Sequence, residues 1–450
     1  MLLSHNNLNL AINMNQSNIP IIAIVGRPNV GKSTLFNRII GKRTAIEAKE
    51  AGTTRDRLTS DFFWRGQNYI LVDTAGLINP TNEILEESVK AAEVAIDQAD
   101  LILFIVDFKE GLTEADFKLA RNLRKNKKPV ILVVNKCDDK FNEEKLNQFK
   151  RLGFENIILV SAISGKNTGD LLDLVHKLSL KPVKTILKNN QEDEISVAII
   201  GRPNVGKSTL INQLLGENRM IVAAAPNTTR DSQDSFLKHK NKNLRIIDTA
   251  GLNRKSRIDR DTVESFAYLR SIRAMESSSV IVYLIDAEEE ITSFDLNALG
   301  QARELGKSII LAVNKCDLLK NDFEKEMLRI ISSLQDKLNF MPYVPVVFIS
   351  AQEKTHLSTL LNQILKVYAE RNTIADQEIV DQIFQQSINS QSGLYYLKNL
   401  KFEKTNPPVF KLATHKNKKP HFSHLRYLEN KIRDTYPYIG TPIFIDWVKR

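Results

Sequence analysis

Cysteine is almost missing from this chain: Cys137 and Cys316 are the only two in 450 residues. They stand in matching copies of one short motif, so no pair is left to staple a fold, and a reducing cytoplasm is the expected location. Long hydrophobic runs are missing as well. None approaches the roughly 18 apolar residues that a spanning helix needs, so no membrane partner is expected. The first nineteen residues are rich in Asn and lack a basic start followed by a long apolar stretch, which argues against a secretory leader and reads as a disordered extension. Hydrophobic residues make up 42% and charged residues 26%, near the averages for globular chains, which excludes a wholly disordered protein. At roughly 150 residues per domain the length suggests about three domains.

Charge of one sign is in surplus. The formal net charge is +10, and residues 371–450 hold thirteen Lys and Arg against seven Asp and Glu. Such a segment is either a solvated surface or a face for a polyanion such as RNA. DNA is not expected, and the chain is expected to be a monomer.

An internal repeat organises the rest. Gly26, Arg27, Pro28, Asn29, Val30, Gly31, Lys32 and Ser33 recur as Gly201, Arg202, Pro203, Asn204, Val205, Gly206, Lys207 and Ser208, an offset of 175. At the same offset Thr54 recurs as Thr229, and Asp73, Thr74, Ala75, Gly76 and Leu77 recur as Asp248, Thr249, Ala250, Gly251 and Leu252. Asn135, Lys136, Cys137 and Asp138 match Asn314, Lys315, Cys316 and Asp317, and Ser161-Ala162 matches Ser350-Ala351. Short apolar runs at 21–25, 69–72, 101–106, 130–134 and 157–160 alternate with longer mixed stretches, the pattern of βα units around a mostly parallel sheet. The second copy repeats it at 196–200, 244–247, 280–285, 309–313 and 346–349. The expected organisation is α/β: an extension (1–19), a first P-loop domain (20–180), a linker (181–194), a second P-loop domain (195–368) and a small α+β basic domain (369–450).

Each motif has a chemical reason. The G-x-x-x-x-G-K-S loop after an apolar strand lets backbone N–H groups cradle phosphates, with Lys32 and Lys207 neutralising their charge and Ser33 and Ser208 able to coordinate Mg²⁺. Asp73 and Asp248 end strands where an aspartate can hold a Mg²⁺ water. Gly76 and Gly251 can offer a backbone N–H to a γ-phosphate, and Thr54 and Thr229 are the candidates in the earlier switch loop. Together with the two lysines these are the candidate catalytic residues. Asp138 and Asp317 close N-K-x-D, where a carboxylate accepts the N1–H and exocyclic amine of guanine, whereas adenine would leave a charged acceptor unpaired. The nucleotide is therefore expected to be GTP or GDP. The glutamine that orients water in Ras-type sites is absent, since Leu77 and Leu252 follow the D-x-x-G glycines. His415, His421 and His424 match no zinc spacing.

With these motifs the sequence resembles the double-Era GTPase family, also called Der or EngA, over nearly the whole chain after residue 19. That resemblance implies two Era-like G domains and a KH-like C-terminal domain, in a bacterial cytoplasmic GTPase that helps assemble the large ribosomal subunit on its rRNA. It also implies a hydrophobic residue in place of the catalytic Gln, and K⁺ bound by an Asn of the phosphate loop, here Asn29 and Asn204, whose other role is turn geometry. Three features depart from the pattern. The base loop Ser350 to Lys354 lacks the glycine found at Gly165. Glu288-Glu289-Glu290 replaces Lys109-Glu110-Gly111. The C-terminal segment reads as helix (376–386), strand (395–402), strand (409–412), helix (425–435) and strand (443–447), but has no G-x-x-G clamp.

Overall fold

A computed structural model describes residues 19–47, 59–74, 95–126, 128–138, 143–179, 194–218, 234–247, 260–319, 323–390, 392–415 and 419–448. They form two compact units, one built on residues 19–179 and the other holding residues 194–247 and 271–448.

The first unit is a six-stranded sheet in the order β2-β3-β1-β4-β5-β6. Its strands are β1 (Ile21–Val25), β2 (Thr59–Trp64), β3 (Gln67–Asp73), β4 (Leu101–Asp107), β5 (Val130–Asn135) and β6 (Asn156–Leu159). All neighbours run parallel except β2, which returns antiparallel on β3. Every residue of β1, β4 and β5 is buried, as expected of parallel strands covered on both faces. On one face Ile22, Ile24, Leu103 and Val133 pack with Leu35 and Phe36 of α1 (Lys32–Glu47) and with Leu171 and Val175 of the last helix of the unit (Thr168–Ser179).

The second unit repeats the order as β8-β9-β7-β10-β11-β12, using β7 (Glu194–Ile200), β8 (Ser235–His239), β9 (Lys242–Ile246), β10 (Val280–Asp286), β11 (Ser308–Asn314) and β12 (Val346–Phe348). The edge strands β2 and β8 do not stand out as apolar runs. Both are short and half exposed, so they lack the continuous apolar stretch that marks the central strands.

The C-terminal segment forms helix Gln377–Ser390, β13 (Leu397–Lys404), β14 (Val409–Thr414), helix Phe422–Thr435 and β15 (Phe444–Val448). Each sequence-derived element is found, with ends shifted by up to four residues. β13 pairs antiparallel with β14, and β15 joins β14 in parallel. Val380, Phe384, Leu400, Phe410, Leu428 and Ile432 form its core.

This small sheet is joined to the second P-loop sheet at the N-terminal end of β11. Gly440 O accepts from Ile309 N–H at 2.7 Å, and Gly440 N–H donates to Tyr343 O at 2.8 Å. Ser308 and Thr441 hydroxyls meet at 2.8 Å. Arg371 is buried and donates to Gly306 O at 2.5 Å and to Asn406 Oδ1. Burial brings its guanidinium down to about 10. Gly440 has φ +67, and a Cβ there would lie 2.8 Å from Ile309 O and 2.9 Å from both methyls of Val367. Gly440→Ala should therefore destabilise this unit by about 2–4 kcal/mol. Gly216 sits in a helix with nothing within 4 Å of its Cβ position, and Gly216→Ala should stabilise by about 1 kcal/mol. Denaturant unfolding that gave both changes the same sign would contradict this account.

Candidate functional site

Both candidate sites sit at the C-terminal ends of the parallel strands, where open α/β sheets place ligands. In the first unit the phosphate loop leaves β1 and enters α1 at Lys32. Gly26 leaves no room for a side chain, since a Cβ would meet Ile105 O at 2.5 Å. Gly31 has φ +92, and a Cβ there would lie 2.3 Å from Asn135 Nδ2. Between them Asn29 adopts φ +64. The second loop copies this shape, with Asn204 at φ +65 and Gly206 at φ +98.

Lys32 Nζ donates to Gly26 O and Arg27 O, both at 2.8 Å, and Lys207 Nζ donates to Gly201 O at 2.8 Å and Arg202 O at 2.5 Å. Each lysine is thus held by two carbonyls of its own loop. Burial lowers the Lys32 ammonium, with Asp73 opposing that shift. For Lys207 burial alone brings the value down to about 8. Asp73 is buried at the end of β3, in register with Ile24, and Thr74 Oγ1 donates to Ile24 O at 2.7 Å.

Asn135 ties the loops together. Its Nδ2 donates to Val30 O at 2.8 Å, and its Oδ1 accepts from Ala162 N–H at 3.0 Å. Asn314 does the same with Val205 O at 2.8 Å and Ala351 N–H at 2.9 Å. One side chain thus fixes the phosphate loop against the loop that would cap the base. The next residues, Lys136 and Lys315, turn with φ +66 and +63. Their ammonium groups clamp Asp107 at 2.6 Å and Asp286 at 2.5 Å. Burial would raise the Asp107 carboxyl, yet Lys136 and the amides of Glu110 and Lys109 hold it below its ordinary value. Cys137 and Cys316 are buried free thiols, and burial pushes Cys137 up to about 11. They fill space, while their N–H groups donate to Val160 O and Ile349 O.

Asp138 accepts from Ser161 Oγ and lies 3.2 Å from Lys109 Nζ. Those two contacts, Ser161 first, hold its carboxyl below the usual range. Without its glycine the second base loop keeps the serine-held start of the turn, but its return bond differs: Thr355 N–H donates to Ser350 O where Gly165 N–H donates to Ser161 O. Lys354 adopts φ +58 where Gly165 has φ +82, and Ser350 Oγ accepts from Glu353 N–H at 3.0 Å as Ser161 Oγ does from Ser164 N–H at 3.1 Å. That left-handed lysine costs about 1 kcal/mol.

The candidates Thr54, Ala75, Gly76, Leu77, Thr229, Asp248, Thr249, Ala250, Gly251 and Leu252 lie outside the described residues. The sequence reading missed Asp116 and Asp295. Each is a buried helix-capping carboxylate bonded to Thr113 or Thr292, and each receives the phosphate-loop arginine, Arg27 at 3.3 Å and Arg202 at 3.1 Å. The repeated T-x-x-D was the signal that could have found them.

A half-buried Lys207 at about 8 makes phosphate binding pH-sensitive. Phosphate favours the protonated ammonium, so above pH 8 the free second site must first take up a proton. Its GDP affinity should fall between pH 8 and 9 by up to about tenfold per unit, and calorimetry in buffers of different ionisation enthalpy should show proton uptake there. Flat affinity with no proton uptake would contradict the assignment.

A family described as a 50S ribosome-binding GTPase matches residues 21–136 and again 196–315. One described as the C-terminal KH-domain-like part of EngA bacterial GTPase enzymes matches residues 360–447. GTPase Der of Desulforamulus reducens is 43% identical over 434 residues, covering 94% of this chain and 97% of that protein. GTPase Der of Halothermothrix orenii is 42% identical over 436 residues, covering 94% and 98%. Two P-loop sites on two sheets, followed by a KH-like sheet, therefore place this chain in the GTPase Der (EngA) family, as an enzyme that binds guanine nucleotide and hydrolyses GTP.

Proposed function

We propose that this GTPase is an assembly factor for the large ribosomal subunit, acting in the cytoplasm as a monomer whose nucleotide state governs docking on rRNA. The observation that carries the reading is the union of two P-loop sites with a basic KH-like segment in a family described as 50S ribosome-binding. The functional parts are a first G domain (20–180), a linker (181–194), a second G domain (195–368) and the basic domain (369–450).

In each site the phosphate-loop amides and Lys32 or Lys207 receive the phosphates, and Asp138 or Asp317 receives guanine. Gly76 and Gly251 are assigned to offer a backbone N–H to the γ-phosphate, and Thr54 and Thr229 are the candidates of the earlier switch loop. Ser33, Thr54 and Asp73, with Ser208, Thr229 and Asp248, offer hydroxyl and carboxylate oxygens, the hard donors that Mg²⁺ takes. Bound there, Mg²⁺ would offset negative charge on the phosphates. Leu77 and Leu252 cannot orient water, so stabilisation of the transition-state charge must come from elsewhere. The left-handed Asn29 and Asn204 are the residues we assign to K⁺, which would supply it.

Several basic residues of the C-terminal domain are engaged internally. Arg433 lies 3.9 Å over the Tyr343 ring and pairs with Glu429, Lys411 pairs with Glu403, and Lys431 pairs with Asp434. Lys398, Lys401 and Lys404 of β13 are exposed and are better placed for RNA phosphates, while Lys416 and Lys418 lie outside the described residues.

Sedimentation with purified large subunits should depend on nucleotide, comparing GDP with a non-hydrolysable GTP analogue. It should also weaken with salt, and Lys→Gln at residues 398, 401 and 404 should flatten the log–log slope by about two units. In the same preparation GTP turnover should be faster in KCl than in NaCl. Nucleotide-independent association with an unchanged salt slope would refute the ribosomal reading, and equal turnover in the two salts would remove K⁺.

A further inference from the structure

The rims of the two base pockets differ in charge. In the first, Lys109 Nζ lies 3.2 Å from Asp138 Oδ2 while Ser161 Oγ donates to Oδ1, so both oxygens of the carboxylate assigned to guanine are already engaged. The backbone holds Lys109 there. Its N–H donates to Asp107 Oδ1 at 2.8 Å, and Asp107 is clamped in turn by Lys136. The second pocket repeats this scaffold with Glu288 N–H on Asp286 Oδ1 at 3.1 Å and Lys315 on Asp286. Residue 288 therefore occupies the place of residue 109, and it is an exposed glutamate. Among the described residues Asp317 has no ion-pair partner.

A guanine base needs two acceptor sites on this carboxylate for its N1–H and exocyclic N–H. An ammonium bound to Oδ2 competes for one of them and withdraws negative charge from the pair. A glutamate at the same place does neither. We infer that Lys109 lowers the guanine-nucleotide affinity of the first site by competing with the base for Asp138 Oδ2, and that Glu288 leaves Asp317 uncontested. The inference rests on the assignment of Asp138 and Asp317 to guanine. The pair is more than half exposed on the lysine side, and exposed ion pairs are weak. The expected effect is about two- to fivefold in affinity.

The test uses the full chain carrying Asp317→Asn, so that GDP reports on the first site alone, with Lys109→Gln and Lys109→Glu added in turn. Equilibrium binding of a fluorescent GDP at about 0.1 M salt should tighten about two- to fivefold with Lys109→Gln and at least as much with Lys109→Glu. The gain should vanish near 1 M salt, where the screening length is about 3 Å. Reciprocally, Glu288→Lys in a chain carrying Asp138→Asn should weaken GDP binding by a similar factor. Unchanged or weaker binding with Lys109→Gln, or a gain that survives 1 M salt, would overturn the competition. If the Asp317→Asn chain still bound two GDP per molecule, the guanine assignment itself would fall, and the inference with it. Loss of one GDP site with no effect at Lys109 would overturn the inference alone.

Discussion

Each nucleotide site hangs from one side-chain amide. Asn135 and Asn314 end the strands β5 and β11, and each reaches sideways in two directions. The amide donates to a phosphate-loop carbonyl and accepts from an N–H of the base loop. The proposed phosphate and base contacts lie on separate loops, and the amide sets the distance between those loops. Glycine at Gly31 and Gly206 follows from this, because any Cβ there would collide with the amide nitrogen.

The same constraint explains what the two sites share and where they differ. Atoms that touch the amide, or the aspartate beside it, are duplicated with distances matching within about 0.3 Å: the lysine clamps, the aspartate-held loop and the serine turn. Side chains that project from this skeleton without supporting it have diverged. Lys109 is matched by Glu288, and Gly165 by Lys354, which holds a left-handed backbone at that place. Divergence at the rim changes charge without moving the cradle.

Much of this was legible in the sequence. The central strands announced themselves as uninterrupted apolar runs because both faces of a parallel sheet are buried, and the repeated motifs singled out the loops that Asn135 and Asn314 draw together. The edge strands β2 and β8 were not legible, because one half-exposed antiparallel partner leaves little apolar signal. Nor was the bracing role of Asn135, since a tetrapeptide does not disclose which atoms its first residue reaches across 105 and 27 positions of chain. The engagement of Arg433 and Lys411 was hidden for the same reason: net charge counts ions without their partners. The sequence pattern placed helices and strands of the C-terminal segment correctly, while its attachment at Gly440 depends on a close backbone approach to Ile309, which no local sequence pattern encodes.

The most direct test of the account is hydrogen exchange on the full chain with Asn314→Ala. If one amide braces both loops, exchange should rise together in the phosphate loop around Val205 and in the base loop around Ala351, 2.8 and 2.9 Å from that amide in the intact site. GDP affinity at that site should fall at least about tenfold, the loss expected when two buried hydrogen bonds are removed. Faster exchange confined to one loop, with GDP affinity intact, would contradict it.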